Sequence, residues 1–480
     1  MMKTNPISLN RTIKLLTLSA ILFMISCEPA HMQEQQDDLT ERVDKLFRQW
    51  EKEGKPGAAV AIIKGGEIIY KQGYGLANLE YDIPNSPSTV FHIASVSKQF
   101  TCFAALLLAE EGKLSMDDDI RKYIPEVPDF GKTITLRHLA NHTSGLRDQW
   151  NLLALAGWRL DDVITKEHIM KLVVKQQDLN FDPGEKYFYC NTGYTLLAEA
   201  VSRISGMSFA EFTKKRIFEP LGMESTLFYD NHQKIVPNRA YSYGHNGKEY
   251  NKAVLSYANV GATSLFTTVE DLALWSMNFD QKKIGTEASL KELHRQGILN
   301  NGDTISYALG QVVDTYRGLN RISHGGADAG YRTHIARFPD QDFSVIVFSN
   351  FGNFNAGWKA NQIADIYLEE EFTEERRRFS GNRPDESETE PMTGELSDYV
   401  GTYYSPELTT TYKIKLKDGQ LVAEHMRHSD INLNHRSAST FRSTAWFMGD
   451  VSFVRDGQGK VTQMLTNSGR VQNLKFVRVE

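Results

Sequence analysis

Phe91-His92-Ile93-Ala94-Ser95-Val96-Ser97-Lys98 runs directly into Gln99 to Glu111, a segment that is apolar nearly all round. A helix apolar on every side is a buried one. The octapeptide therefore stands at the N-terminal end of a core helix, and it contains the pattern Ser-x-x-Lys. Residues three apart on a helix share a face, so Ser95 and Lys98 meet there. The positive potential of the helix N-terminus favours an oxyanion at Ser95. An ammonium buried beside that positive end has a lowered pKa, which leaves a fraction of neutral amine able to accept a serine proton. Four-residue patterns arise by chance in most chains, so the surroundings decide.

Upstream, after an opening helix near Leu39 to Glu53, Ala58 to Tyr74 holds two apolar β-prone runs split by Gly65-Gly66, a hairpin signal. Downstream, helical stretches are predicted at Lys166 to Lys175 and Thr195 to Ser205. Strands return at Ser306 to Asp314, Tyr331 to Phe338 and Phe343 to Ser349, the last two joined by Pro339-Asp340-Gln341-Asp342. Sheet residues thus flank a helical insertion. Glu369 to Glu395 is dense in charge, Pro, Ser and Thr, the composition of an exposed linker. From Leu396 onward, β-alternating runs are separated by Lys417-Asp418-Gly419, Asp456-Gly457-Gln458-Gly459 and Asn467-Ser468-Gly469, which predicts a small antiparallel barrel or sandwich. Tyr403, Tyr404, Phe441, Trp446 and Phe447 are read as its core.

Two further segments carry chemistry. Within Phe181 to Tyr194 stands Tyr189-Cys190-Asn191. A phenol near a lysine can shuttle a proton from nucleophile to leaving group, and a carboxamide can hold the lysine and a substrate amide. Cys190, between two inward-facing side chains, is read as packing. The third segment is His324-Gly325-Gly326. Glycines there let a substrate backbone lie against a strand edge, and a main-chain N–H near Asp328 to Tyr331 is expected to join that of Ser95 in holding an oxyanion.

With these segments the chain resembles the serine β-lactamase and penicillin-binding-protein type of serine hydrolase, whose members include class C β-lactamases, D-alanyl-D-alanine carboxypeptidases and esterases. Tyr189-Cys190-Asn191 resembles the Tyr-x-Asn motif, and His324-Gly325-Gly326 is a variant of the Lys-Thr-Gly strand. The resemblance spans Pro56 to Asn350, including TLRHLANHTSGL (Thr135 to Leu146), Pro220-Leu221-Gly222-Met223 and TTVEDLALW (Thr267 to Trp275). It implies an α/β (α+β) sandwich, an antiparallel sheet flanked by helices beside a helical lobe, followed by a lipocalin-like all-β module. It implies Ser95 as nucleophile, Lys98 as its base, Tyr189 as proton relay, and Asn191, His324, Gly325 and Gly326 in substrate binding. The reaction would be two-step hydrolysis of a D-amino-acid peptide, a β-lactam or an ester, with no metal or organic cofactor. His324 in place of lysine removes a permanent cation, so carboxylate recognition is expected to weaken above an ordinary imidazole pKa of about 6.5. That tilts the expectation from a dedicated β-lactamase toward peptidase or esterase. A non-catalytic envelope sensor or ligand-binding lipoprotein working through the β module would require a decayed site, yet Ser95, Lys98, Tyr189 and Asn191 are all present.

Composition sets the remaining bounds. Hydrophobic residues at 41% and charged residues at 24% are ordinary for a folded soluble chain, and 480 residues exceed what one core serves. A net charge of −6 without a long Lys/Arg run argues against a nucleic-acid partner. Lys3, Arg11 and Lys14 precede an apolar run from Leu15 to Ile25, the pattern of an export signal. Met24-Ile25-Ser26-Cys27 resembles a bacterial lipobox, which implies Cys27 as a lipid-anchor site and a membrane-attached lipoprotein of the cell envelope; the alternative is plain secretion with cleavage nearby. The expected division is signal peptide 1–26, polar tether 27–40, hydrolase domain 41–368, linker 369–395 and all-β domain 396–480. Cys102 and Cys190 allow at most one disulfide in the mature body. His138 and His142 stand four apart but lack a third metal partner at readable spacing and are read as structural. Gly-x-Ser-x-Gly and a phosphate-binding Gly-rich loop are both absent. Oligomeric state is not legible.

Overall fold

Six antiparallel strands form the central sheet of the computed structural model, which describes residue 1 and residues 36–51, 54–375 and 390–480. They are β1 (Ala58–Lys64), β2 (Glu67–Tyr74), β3 (Val312–Tyr316), β4 (Leu319–Asp328), β5 (Tyr331–Phe338) and β6 (Phe343–Ser349), in spatial order β3-β4-β5-β6-β1-β2. The β1–β2 and β5–β6 hairpins fall where the sequence places them. Strand β1 is apolar at six successive positions because both of its faces are covered. Ala58, Val60 and Ile62 pack with Val43 and Phe47 of α1 (36–47) and with Ala360, Ile363 and Ala364 of the C-terminal helix Ala356–Tyr367. Ala59, Ala61 and Ile63 face the larger core, which contains most of α2 (Lys98–Glu110).

Between β2 and β3 lies the helical insertion, with α2, α3 (Gln149–Leu155), α4 (Lys166–Val173), α5 (Asn191–Ser205) and α6 (Val269–Gln281); α7 is Ala356–Tyr367. Every residue of α2 from Lys98 to Leu108 is buried, as its all-round apolar composition requires. Helix α5 starts four residues before the expected Thr195, because the Asn191 N–H is capped by the Asp148 carboxylate at 2.7 Å, a partner 43 residues away.

Other expectations need correction. The strand predicted over Ser306 to Asp314 forms only as β3, beginning at Val312. Gly310 turns the chain at φ +76°, and a Cβ there would stand 2.6 Å from the Gln99 nitrogen, so the segment before β3 packs as a turn against the start of α2. The opening helix ends at residue 47, continuing as a 3₁₀ turn over Arg48–Trp50, with Phe47 stacked on Tyr74 at 4.6 Å between ring centres. Residues 36–40, expected in a tether, are helical. The signal segment, Cys27, tether residues 27–35 and most of the linker (376–389) lie outside the described residues.

The C-terminal strands, β7 (Gly401–Ser405), β8 (Thr410–Lys417), β9 (Gln420–Glu424), β10 (Ile431–Ser437), β11 (Thr440–Ser443), β12 (Asp450–Arg455), β13 (Val461–Ser468) and β14 (Val471–Arg478), close into a barrel, β14 returning to β7 through Tyr403↔Arg478. Tyr403, Phe441 and Phe447 are buried, Tyr404 is half-buried and Trp446 is exposed. The barrel seats on α3. Tyr412 donates to the Leu155 carbonyl at 3.0 Å, and His428 Nε2 contacts that of Ala154 at 2.7 Å, satisfying acceptors that a helix C-terminus leaves open. Arg147 meets both oxygens of Glu407 at 2.9 and 2.8 Å, with the two side chains 1% and 6% exposed.

Candidate active site

Ser95 lies in a 3₁₀ turn, Ala94–Ser97, one turn ahead of α2, and Lys98 is the first residue of that helix. Ala94 holds φ +48°, a left-handed conformation costly for a residue with a Cβ. The turn is fixed from outside: Thr333 Oγ1 of β5 donates to the Ile93 carbonyl at 2.9 Å. Gly326 of β4 lies against the same carbonyl, and a Cβ there would stand 2.3 Å from it. Only glycine lets the strand approach the Ser95 turn this closely. Ser95 itself is half-exposed.

Lys98 is fully buried, and its Nζ donates to Ser95 Oγ at 3.0 Å, Asn191 Oδ1 at 2.9 Å and the Ala262 carbonyl at 2.7 Å. Burial pushes its pKa down to about 7; Asp328 and Asp148 pull upward, and Arg470 adds to the lowering. Tyr189 lies over the same ammonium, its ring centre 4.9 Å away, and lines the cleft beside Ser95. Burial raises the Tyr189 pKa well above that of a free phenol, so it stays protonated at neutral pH and Lys98 is the group able to present a free base. His142 packs against the Tyr189 ring with centres 4.0 Å apart and contacts both the Cys190 N–H and its carbonyl through Nδ1.

Asn191 is oriented by Asp148, a carboxylate with no exposure that accepts from the Asn191 N–H at 2.7 Å and from its Nδ2 at 2.8 Å. With Nδ2 committed to Asp148, Oδ1 must face Lys98. Sequence reading missed Asp148, which stands two residues beyond the quoted TLRHLANHTSGL; its local signal is that of an N-cap, accepting from Trp150 N–H at 3.0 Å.

Strand β4 forms the opposite wall of a cleft of about 730 Å³ lined by Ser95, Tyr189, Asn191, Thr263, His324, Gly325, Gly326, Ala327 and Asp328. Gly325 and Ala327 are exposed to it. His324 is in the wall but has no usable charge: burial holds its pKa down at about 3, with Nδ1 against the Gly325 carbonyl at 2.7 Å and Nε2 against Tyr307 Oη at 2.9 Å. The expected titration of this imidazole near its ordinary value is therefore corrected to a neutral ring. Of the stretch Asp328 to Tyr331, only Asp328 lines the cleft; Ala329 turns at φ +45° and Tyr331 donates to the Ala240 carbonyl at 2.6 Å. Trp150, Arg332, His334 and Arg470 also line the cleft and were not singled out by sequence. Arg470 arrives from the barrel.

Cys102 and Cys190 are free and buried, so no disulfide joins them, and burial raises both thiols to about 12. His138 serves the α-helical capping box at Thr135. Among the described residues no three His, Cys, Asp or Glu side chains are grouped to hold a metal ion.

A family profile described as Beta-lactamase matches residues 42–367, and one described as a domain of unknown function (DUF3471) matches 385–478. A penicillin-binding protein of Bacillus subtilis (strain 168) is 32% identical over 308 residues, 61% of this chain and 67% of that protein. A D-aminopeptidase of Gluconobacter oxydans (strain 621H) is 29% identical over 296 residues, 62% of this chain; the match spans only 56% of that relative's length. In fold, the octameric penicillin-binding protein homologue from Pyrococcus abyssi aligns over 93% of this chain and 100% of its own, with a TM-score of 0.59 at 21% identity.

Proposed function

The chain belongs to the beta-lactamase family, and from that premise we propose that it is a serine hydrolase acting through an acyl-enzyme on Ser95, with amide bonds of D-amino-acid peptides as its first substrate class. The observation that carries this reading is the buried Lys98 ammonium held 3.0 Å from Ser95 Oγ, with its pKa lowered to about 7. The neutral amine of Lys98 takes the Ser95 proton as Oγ bonds to the substrate carbonyl carbon. The main-chain N–H groups of Ser95 and of β4 near Ala327 receive the oxyanion. As the tetrahedral adduct collapses, the carbon–nitrogen bond breaks and Tyr189 passes its proton to the departing amine, recovering one from Lys98. Water then attacks the ester carbonyl as neutral Lys98, through the Tyr189 hydroxyl, takes its proton; the ester carbon–oxygen bond breaks, the proton returns to Ser95 Oγ, and the acid leaves. Asn191 holds Lys98 and a substrate amide; Gly325 and Gly326 leave the strand edge open to the substrate backbone. The test is intact-mass spectrometry after exposure to a neutral fluorophosphonate, in wild type and Ser95→Ala, followed by hydrolysis of D- and L-configured peptide amides. A folded wild type that never gains the adduct sinks the proposal.

Residues 1–26 are proposed to be an export signal and Cys27 a lipid-bearing N-terminus, supported by the basic-then-apolar pattern ahead of Met24-Ile25-Ser26-Cys27. Cell-envelope localisation follows. Fractionation of cells expressing wild type and Cys27→Ser tests it: transfer of the protein from membrane to soluble fraction is expected, and unchanged membrane attachment contradicts it.

A further inference from the structure

A fixed cation enters the cleft from the other domain. Arg470 stands at the tip of the hairpin between β13 and β14, and that tip is sewn to the catalytic body. Asn151 Nδ2 donates to Ser468 Oγ at 3.0 Å, Asp148 N–H to the Arg470 carbonyl at 3.2 Å, and Asn180 Nδ2 to the same carbonyl at 3.3 Å. Gln472 N–H donates to Asn180 Oδ1 at 2.8 Å, and Arg147 Nη2 donates to the Gln472 carbonyl at 3.1 Å.

The backbone of Arg470 is thus fixed while its side chain remains 43% exposed. The guanidinium lies 4.7 Å from the Tyr189 ring centre, a stacking geometry that orients its donor edge without consuming it. Its nearest carboxylate oxygen, on Asp148, is 4.0 Å away, beyond hydrogen-bond distance. Asp148 is already occupied by N–H donors from Asn191 and Trp150. A planar cation with donors to spare therefore lines the same cleft as Ser95. The other bases of the cleft are less suited to an anion beside Tyr189. His324 and His142, whose rings flank that phenol, are both held neutral by burial. Lys98 is committed to Ser95, Asn191 and the Ala262 carbonyl, and Arg332 spends Nη1 on the Ala329 and Tyr331 carbonyls at 3.1 and 2.7 Å.

We propose that Arg470 is the carboxylate subsite of this cleft, so that the barrel domain selects substrates bearing a free carboxylate on the leaving-group side of the scissile bond. The inference rests on the serine-hydrolase reading above and names its substrate class: peptides cleaved before a C-terminal residue, or lactams with a carboxylate on the leaving nitrogen's side. The side of attachment follows from Tyr189. That phenol serves the departing amine, and Arg470 stacks on its ring, so an anion bound by the guanidinium sits next to the leaving group. Arg470 is then a binding residue contributed by a domain that holds none of the reacting groups.

The experiment compares an N-acyl-D-aminoacyl-D-amino acid with the same compound capped as its C-terminal carboxamide, using the full mature chain and its Arg470→Gln and Arg470→Lys variants. The carboxylate compound should be preferred by wild type by about 10- to 100-fold in kcat/KM, the range of a charge-assisted hydrogen-bonded pair. Arg470→Gln should bring that ratio close to one, with Arg470→Lys between the two. A ratio that Arg470→Gln leaves unchanged, or an equal loss on both compounds, overturns the subsite. If Arg470→Gln does not fold, Arg470→Lys carries the comparison. Labelling of wild-type Ser95 by the neutral fluorophosphonate separates the two levels. Failure to label counts against the hydrolase reading itself, whereas a wild type that labels yet cleaves neither peptide overturns the proposed substrate class.

Discussion

Replacing Asp148 by Asn should move the acid limb of the acylation rate to lower pH. The base form of Lys98 is required, so kcat/KM for acylation by a neutral ester falls as pH drops below the Lys98 pKa, at about 7. Asp148 pulls that pKa upward, and its hydrogen bond to Asn191 Nδ2 at 2.8 Å and that of Lys98 to Asn191 Oδ1 at 2.9 Å place the two charges end to end across one carboxamide. Their separation is therefore no more than about 8 Å, which at an effective dielectric constant of about 20 corresponds to roughly 2 kcal/mol. Removing the charge while keeping the side-chain shape should lower the Lys98 pKa by about 1 to 1.5 units. The sign is fixed: loss of a carboxylate disfavours the ammonium, so more free amine is present at a given pH. The plateau rate should fall at the same time, because the introduced carboxamide cannot accept from both Asn191 donors as well as a carboxylate does, and Asn191 is freed to turn. Stopped-flow acylation from about pH 5 to 9 reads both effects. An acid limb that stays in place, or moves up, refutes the assignment of that limb to Lys98.

Gly326→Ala should cost about 1–3 kcal/mol in stability and over tenfold in acylation, because the added Cβ would meet the Ile93 carbonyl at 2.3 Å and push the Ser95 turn aside; thermal unfolding and burst-phase acylation check it, and an unchanged rate contradicts the close approach. Glu407→Ala leaves the buried Arg147 guanidinium without its partner and should destabilise the barrel's seat by about 3–5 kcal/mol, seen by calorimetry as earlier separation of a barrel transition; a single unshifted transition would argue against it. The His324 imidazole should show no NMR titration between about pH 5 and 8, since burial holds it near 3; a midpoint inside that window would restore it as a switchable cation. Cys102 and Cys190 should resist iodoacetamide at mildly alkaline pH until the protein is denatured, as thiols raised to about 12 by burial supply almost no thiolate; rapid alkylation of the folded protein would show the core to be open.

What the sequence disclosed and what it withheld divide along chain distance. Ser95 and Lys98 are three residues apart, and Tyr189 and Asn191 are two, so each pair's geometry is set by one turn of local structure and reads out directly. The hairpins at β1–β2 and β5–β6 were legible for the same reason: apolar runs and their turn residues lie side by side. Asp148 and Arg470 were not, because nothing near either residue announces a role. Asp148 looks like an N-cap and is one; its second use, capping α5 and turning the Asn191 amide, depends on residues 43 positions away. Arg470 follows Asn467-Ser468-Gly469, of which Asn467 and Ser468 end β13 and Gly469 with Arg470 makes the turn, and its place beside Tyr189 is created only by the docking of the barrel on α3. The shortened β3 has a similar cause, since the strand-like composition of Ser306 to Gln311 gives way to a Gly310 turn packed on the first residues of α2.

The pairing of β1 with β6, Ala58 opposite Ser349, has a consequence for how the chain assembles. The ends of that ladder are about 290 residues apart, and closing such a loop costs about 5 kcal/mol of chain entropy before its contacts reward it. Non-local pairings of this kind fold slowly. During synthesis the N-terminal hairpin must wait for nearly three quarters of the chain to emerge before its inner strand finds its second neighbour, with Ala58, Val60 and Ile62 short of their full cover in the interval. A polypeptide whose central sheet stays open until residue 349 is one that a holdase can keep threadable, and also one in which a premature stop between β2 and β6 leaves an apolar strand with one edge open, a seed for aggregation instead of a smaller folded protein.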